Sequence, residues 1–192
     1  DAITKLHLLG LLELYSLTNE NVVWSKIRNL NNSKIKLKFI LSVLKSENGL
    51  EINRAHNLAN KLFNLIDILE SDNKHVSTSI SHGDFTPWNM FLNKSKLHVF
   101  DWELSETNTP LLFDVFHFVF QTGVLVKNDN YKQIKNELNR VLNSKEIRFC
   151  VSNYEIDLYK NYIFYLIKNI SYYLEKYILQ KDLHEQVFWL LD

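Results

Sequence analysis

The reading turns on Ser81-His82-Gly83-Asp84-Phe85-Thr86-Pro87-Trp88-Asn89-Met90-Phe91-Leu92, which resumes after a short turn as Leu97-His98-Val99-Phe100-Asp101-Trp102-Glu103. Gly83 and Pro87 keep Asp84 and Asn89, five residues apart, out of a regular helix, because glycine loosens the backbone and proline removes a donor. Residues 76–80, 90–92 and 97–100 are short β-prone pieces, and Asn93-Lys94-Ser95 reads as a hairpin turn between the last two. An antiparallel hairpin folds residue 101 back toward residue 89. Asp84, Asn89 and Asp101 can therefore converge on one point.

Outward from this centre the texture is helical. Only four glycines and two prolines punctuate the chain, and apolar residues recur at three- and four-residue spacing. Helix is expected over residues 3–17, with Leu6, Leu9, Leu12 and Leu14 as its apolar positions, then over 35–44 and 51–70. In the last of these, Ile52, Ala55, Leu58, Leu62, Ile66 and Leu69 form one stripe, while Asn53, Asn57, Asn60, Asn64 and Asp67 point elsewhere. The Asn- and Lys-rich segment 29–36 reads as a loop. After Pro110 helix returns over 111–126, 131–142, 154–179 and a short piece ending near Leu191. The expected fold is mainly α with a small β-hairpin region: a single unit over 1–192, helical over 1–75, carrying the loop and hairpin over 76–107, and helical again over 108–192.

One carboxylate and one amide oxygen are hard donors suited to magnesium, which keeps water and substrate phosphates in its shell. A further, metal-free carboxylate can then orient a hydroxyl, and that division of labour is what phosphoryl transfer requires. His82-Gly83-Asp84 with Asn89, followed by Asp101-Trp102-Glu103, resembles the signature of the aminoglycoside phosphotransferase and choline kinase-like small-molecule kinases, relatives of the protein kinases. In protein kinases the corresponding layout is His-Arg-Asp with an Asn five residues on, then Asp-Phe-Gly. Gly83 in place of Arg, and Trp102-Glu103 in place of Phe-Gly, favour the small-molecule branch.

The resemblance implies the helical C-terminal lobe of a protein kinase-like α+β fold, with ATP as co-substrate, Mg2+ as cofactor and a small-molecule alcohol as acceptor. It implies Asp84 as the catalytic base or hydroxyl-orienting group, and Asn89 and Asp101 as metal ligands. His82 would brace the loop, Glu103 would assist from behind the direct ligands, and Asp114, within Pro110-Leu111-Leu112-Phe113-Asp114, would tether the loop through hydrogen bonds. The motif covers residues 81–114, about a sixth of the chain. The family also needs a β-rich lobe with a phosphate-covering loop and a lysine paired to a glutamate. No Gly-x-Gly or Gly-x-x-x-x-Gly-Lys and no β-rich segment precede residue 76, so that lobe is expected ahead of Asp1. The rival from another class is a catalytically inactive kinase-like lobe that serves as a binding or scaffold module.

Other readings are weaker. Asp84, Asn89 and Asp101 as plain turn and cap residues would leave the flanking His-Gly, Pro-Trp and hairpin spacing without a reason. A dinuclear phosphoesterase would need grouped histidines, which His7, His56, His75, His98, His117 and His184 do not form. His117, on the apolar stripe of its segment, reads as a core or pocket-wall residue. The tyrosines and phenylalanines of 154–177 read as packing. Cys150 lacks a partner histidine signature for nucleophilic work.

Composition narrows the partners. Twenty-two basic and 22 acidic side chains cancel, so no long-range field favours nucleic acid or an anionic membrane surface. The longest apolar stretch, 111–126, is interrupted by Asp114, His117 and Gln121 and predicts no membrane span. Cys150 is the only cysteine, which excludes an internal disulfide and fits a reducing, cytoplasmic compartment.

Overall fold

Helix dominates before residue 70 and after residue 113, where apolar residues recur at three- and four-residue spacing, and every described strand but Glu20–Val23 falls between them. A computed structural model describes residues 2–45, 50–94 and 96–179, and the side chains within that set except those of 2–7, 50, 51 and 177. In chain order it runs α1 (Ala2–Thr18), β1 (Glu20–Val23), α2 (Arg28–Leu44), α3 (Leu50–Glu70), β2 (His75–Ser81), β3 (Met90–Asn93), β4 (Lys96–Val99), β5 (Glu106–Pro110), α4 (Phe113–Gln121), α5 (Tyr131–Leu142), α6 (Lys145–Asn153) and α7 (Leu158–Leu179). Single 3-10 turns occupy Trp24–Lys26, Pro87–Asn89 and Trp102–Leu104, and a π-helical turn occupies Thr122–Lys127. The fold is mainly α with two small antiparallel sheets, and no described helix is long and apolar enough to cross a membrane.

The described residues group into two compact units. One is built from residues 23–75 together with α7 from Ile163 onward. In it α2 and α3 pack through Leu30, Leu37 and Ile40 on one helix and Ala59, Leu62, Ile66 and Leu69 on the other, all buried. Trp24, buried, meets Phe164 with ring centroids 6.2 Å apart. Lys34 pairs with Glu70, and Lys36 pairs with Glu175. The stripe expected on α3 is the buried one at Ala55, Leu62, Ile66 and Leu69, while Asn57, Asn60, Asn64 and Asp67 are exposed.

Residues 29–36 are not a loop, as the sequence suggests, but the first turns of α2. Its N-cap, Ile27, offers no side-chain cap bond, so no start signal was written there. Asn29 and Ser33 are buried beside Leu30, and that tertiary packing overrides a poor local propensity.

The other unit comprises residues 1–22 and 76–162. Its three-stranded sheet has the order β1-β2-β5, and β3 with β4 forms a separate hairpin. The strands β1 and β5 were not expected: β1 is four residues long and β5, Glu-Thr-Asn-Thr-Pro, has no alternating pattern. Between β2 and β5 the register slips from Ser79↔Thr109 to Ser81↔Glu106, an irregularity that falls where β2 hands over to the loop at His82. The hairpin pairs Met90↔Val99, Phe91↔His98, Leu92↔Leu97 and Asn93↔Lys96, as the spacing predicts; Ser95 of its turn lies outside the described residues.

Among the described side chains of α1 the buried ones are Leu8, Leu11 and Tyr15; of the expected positions Leu9 is 46% exposed, Leu12 and Leu14 are half-buried, and the Leu6 side chain lies outside the described set. The expected helix over 111–126 is α4 followed by the π turn. Leu112 takes a left-handed conformation (φ 70°) just ahead of α4 while its N–H donates to the Tyr15 hydroxyl at 3.0 Å. The segment expected as one helix from 154 is α7 alone, because Glu155 at φ 49° interrupts it, and α6 starts upstream where the Ser144 side chain accepts from Ile147 N–H. The capping box of Asn130 and Gln133 begins α5 where the sequence places it. The piece expected near Leu191 lies outside the described residues.

Gly83 sits at φ 86°, and a Cβ there would lie 2.2 Å from the Leu104 carbonyl oxygen. Both the left-handed backbone and the close approach exclude a side chain. Gly83→Ala is expected to lower stability by about 2 kcal/mol or more, read as a shifted urea midpoint. An unchanged midpoint would show that the turn carries no such constraint.

Candidate active site

The site is assembled from α4 outward. Asp114 lies in the first turn of α4 and is 1% exposed; its Oδ2 accepts the His82 N–H at 2.8 Å and its Oδ1 accepts the Gly83 N–H at 3.1 Å. Burial pushes its pKa up, and the two backbone donors work against that shift. The carboxylate thus fixes the loop where β2 ends.

His82 fixes the next contact. Its Nδ1 accepts the Asp84 N–H at 3.3 Å, so Nε2 carries the ring proton and donates to the Phe100 carbonyl at 2.9 Å. The ring is fully buried, with the Trp102 ring centroid 4.7 Å away. The loop is thereby joined to the strand-end that carries Asp101. Phe100 N–H in turn donates to the Asn89 carbonyl at 3.0 Å, extending the hairpin register one pair beyond Met90↔Val99.

Asn89 closes the 3-10 turn Pro87–Asn89 and is buried. Its Nδ2 donates to Asp84 Oδ2 at 2.9 Å and to the Asp84 carbonyl at 3.0 Å. The other carboxylate oxygen, Asp84 Oδ1, accepts from His117 Nε2 at 3.1 Å. Asp84 is therefore held from two sides, and its pKa lies below the usual aspartate range, chiefly through the His117 hydrogen bond, against a desolvation that acts in the other direction.

His117 is the residue that the sequence reading placed among the packing. It is buried, with its ring stacked on Phe113, yet its Nε2 reaches the loop carboxylate. A signal existed: His117 stands three residues after Asp114, on the same helix face, so a helix that grips residues 82 and 83 presents its next turn to residue 84.

Asp101 follows Phe100 at φ 65°, ψ 58°. Its exposed carboxylate makes no hydrogen bond or ion pair among the described residues. Glu103 is exposed on the 3-10 turn Trp102–Leu104 and is bonded to none of the other site residues. Among the described residues no group of three or more His, Cys, Asp or Glu side chains could hold a metal by itself. The available donors are Asn89 Oδ1, left over once Nδ2 is spent on Asp84, and the Asp101 carboxylate. Two hard oxygens of this kind fit magnesium, whose remaining positions go to water and phosphate oxygens. Cys150 is buried, and burial pushes its thiol up to about 12, which removes it as a nucleophile.

His117→Ala is expected to raise the Asp84 pKa more than Asn89→Ala does, read by NMR titration of the side-chain carboxyl. Because the folded pKa is depressed, the Asp84 contribution to stability is complete above the unfolded aspartate pKa and is lost as pH falls through the folded value. In His117→Ala that loss moves to higher pH. An Asp84 titration identical in wild type and His117→Ala would remove His117 from the site.

Comparison with known proteins leaves the geometry to speak alone: no protein-family model, no curated protein and no solved structure matches the chain.

Proposed function

We propose that this chain is the helical catalytic lobe of a magnesium-dependent phosphotransferase, of the aminoglycoside phosphotransferase and choline kinase-like type, that moves the γ-phosphoryl group of ATP to a hydroxyl of a small molecule. The reading rests on the Asp84 carboxylate, held between His117 Nε2 and Asn89 Nδ2 on a loop that Asp114 ties down. A turn aspartate without catalytic work has no need of two separate elements, α4 and the 3-10 turn, to fix it.

The acceptor hydroxyl donates its hydrogen bond to Asp84. Its oxygen forms the new bond to the γ-phosphorus as the bond from that phosphorus to the β,γ-bridging oxygen breaks. ADP leaves with the electron pair, and the hydroxyl proton passes to Asp84 and on to water. Asn89 Oδ1 and the Asp101 carboxylate would hold magnesium, which supplies charge neutralisation on the phosphates. A carboxylate with a depressed pKa is a weak base, so Asp84 acts mainly by aligning the hydroxyl for a loose transition state. His82 and Asp114 hold the backbone of the loop and touch no substrate.

One observation favours the second reading, an inactive lobe that binds a partner. Trp88, Phe91, Leu92, Phe100, Trp102 and Leu104, on and around the hairpin, are each at least 40% exposed, and an apolar surface of that kind marks something that covers it.

The two readings separate in a radiolabelled-ATP assay of the natural full-length protein with a panel of choline, an aminoglycoside, a hexose and homoserine. Phosphorylation of a panel member is expected, with Asp84→Asn lowering kcat by about 100- to 10,000-fold at unchanged circular dichroism. Asp101→Asn is expected to abolish magnesium-dependent turnover. Wild-type rates in either variant defeat the phosphotransferase reading, and absence of both turnover and magnesium-ATP binding favours the binding module.

A further inference from the structure

The exposed face of α2 is basic, and its cations are only partly paired. From Lys26 to Lys45 the sequence holds six basic residues, Lys26, Arg28, Lys34, Lys36, Lys38 and Lys45, and no Asp or Glu, in a chain whose charges balance. Carboxylates of neighbouring helices take two of them: Lys34 pairs with Glu70 and Asp67, and Lys36 pairs with Glu175. The other four, Lys26 in the turn ahead of α2 and Arg28, Lys38 and Lys45 on it, are exposed and make no side-chain hydrogen bond or ion pair among the described residues.

Arg28, Asn31, Ile35, Lys38, Ser42 and Lys45 follow one another at three- and four-residue steps, so they stand in one row along the helix. All six are exposed, Ile35 to 66%, and Phe39 next to that row is 42% exposed. Two large apolar side chains one turn apart therefore lie among the free cations. A basic, partly apolar helix face of this kind is a recognition surface for an anionic partner.

Beside the row runs a groove of about 360 Å³ between α2 and α3. Lys38, Leu41, Ser42 and Lys45 wall it on α2, and Asn60, Phe63 and Asn64 wall it on α3. The lining thus offers two cations and no carboxylate, with hydrocarbon from Leu41 and Phe63. It also offers amides: Asn64 makes no side-chain hydrogen bond among the described residues, and Asn60 spends Nδ2 on His56 Nδ1 and keeps its Oδ1.

Charge and shape together choose the occupant. Unpaired cations are complemented by carboxylates, the hydrocarbon by large apolar side chains, and the free amides by peptide N–H and C=O groups. An acidic peptide supplies all three. A nucleic acid brings phosphates but no aliphatic side chain for Ile35 and Leu41, and the flat surface of a bilayer does not enter a groove.

We infer that the α2 face and the groove beside it dock an acidic, amphipathic segment of a partner protein, its carboxylates on Arg28, Lys38 and Lys45 and one large apolar side chain seated between Leu41 and Phe63. The inference is independent of the phosphotransferase reading, because α2 and α3 contribute no residue to the candidate active site.

The test is fluorescence polarisation on the full chain with three labelled probes: a peptide of glutamates interleaved with leucine and phenylalanine, the same peptide with serine at every apolar position, and a single-stranded RNA of equal negative charge. Vesicles of phosphatidylserine and phosphatidylcholine are tested by co-sedimentation. The first peptide is expected to bind saturably at one site, and the serine peptide and the RNA about ten-fold more weakly or worse. Lys38→Gln combined with Lys45→Gln is expected to weaken the first peptide about two- to thirty-fold. Lys132→Gln combined with Lys135→Gln, at exposed positions of α5, removes the same charge and is expected to leave binding unchanged. Ser42→Trp, which fills the groove from an exposed position, is expected to weaken the first peptide about ten-fold; should it fail to fold, the two double variants decide. Absence of saturable binding, equal loss in both double variants, wild-type affinity in a folded Ser42→Trp, or tighter binding of the serine peptide, the RNA or the vesicles overturns the assignment.

Discussion

A buried carboxylate sharing its two oxygens between two consecutive backbone amides organises the centre of this protein. Asp114 is almost wholly removed from solvent, and burying a carboxylate is costly unless donors meet it. The His82 and Gly83 N–H groups are those donors, and hydrogen bonds to a charged acceptor are the stronger kind. The exchange is mutual. Amides at the end of β2 have lost a regular strand partner where the ladder slips, and Asp114 provides one, while α4 gains a fixed position under the loop.

From that anchor the remaining contacts follow by proximity. Gly83 turns the chain at positive φ against the Leu104 carbonyl, His82 ties the loop to Phe100, and Phe100 ties the hairpin to Asn89. Asp84 comes last, between Asn89 and His117, with no freedom to rotate without breaking a hydrogen bond. A carboxylate held this way is preorganised, and preorganisation of a hydroxyl acceptor is the contribution that phosphoryl transfer asks of a protein side chain. Phe85, the residue after Asp84, and Thr122 of the π turn both line a cavity in the same unit.

Much of this was legible beforehand where the local signal was strong. The hairpin register follows from two β-prone pieces and a short turn, and α5 occupies the 131–142 stretch where helix is expected. Segments with weak local signals were not legible. The start of α2 has no side-chain cap, β5 lacks alternation, and the buried face of α1 is offset from the one its leucines suggest, because Tyr15 is drawn inward by its bond to Leu112. In each case a long-range partner, absent from any local window, decided the outcome.

The sequence by itself determined which side chains could do chemistry: a loop aspartate, an amide five residues on and a carboxylate after the hairpin stand at spacings that any fold of these segments must respect. Only the tertiary structure decided which of them meet. It drew His117 out of an apolar stripe and onto Asp84, left Glu103 on the surface, and placed Thr122 against a cavity. The physical reason is that hydrogen-bond partners 31 to 33 residues apart are chosen by how α4 packs, and packing is a property of the whole core rather than of any one segment.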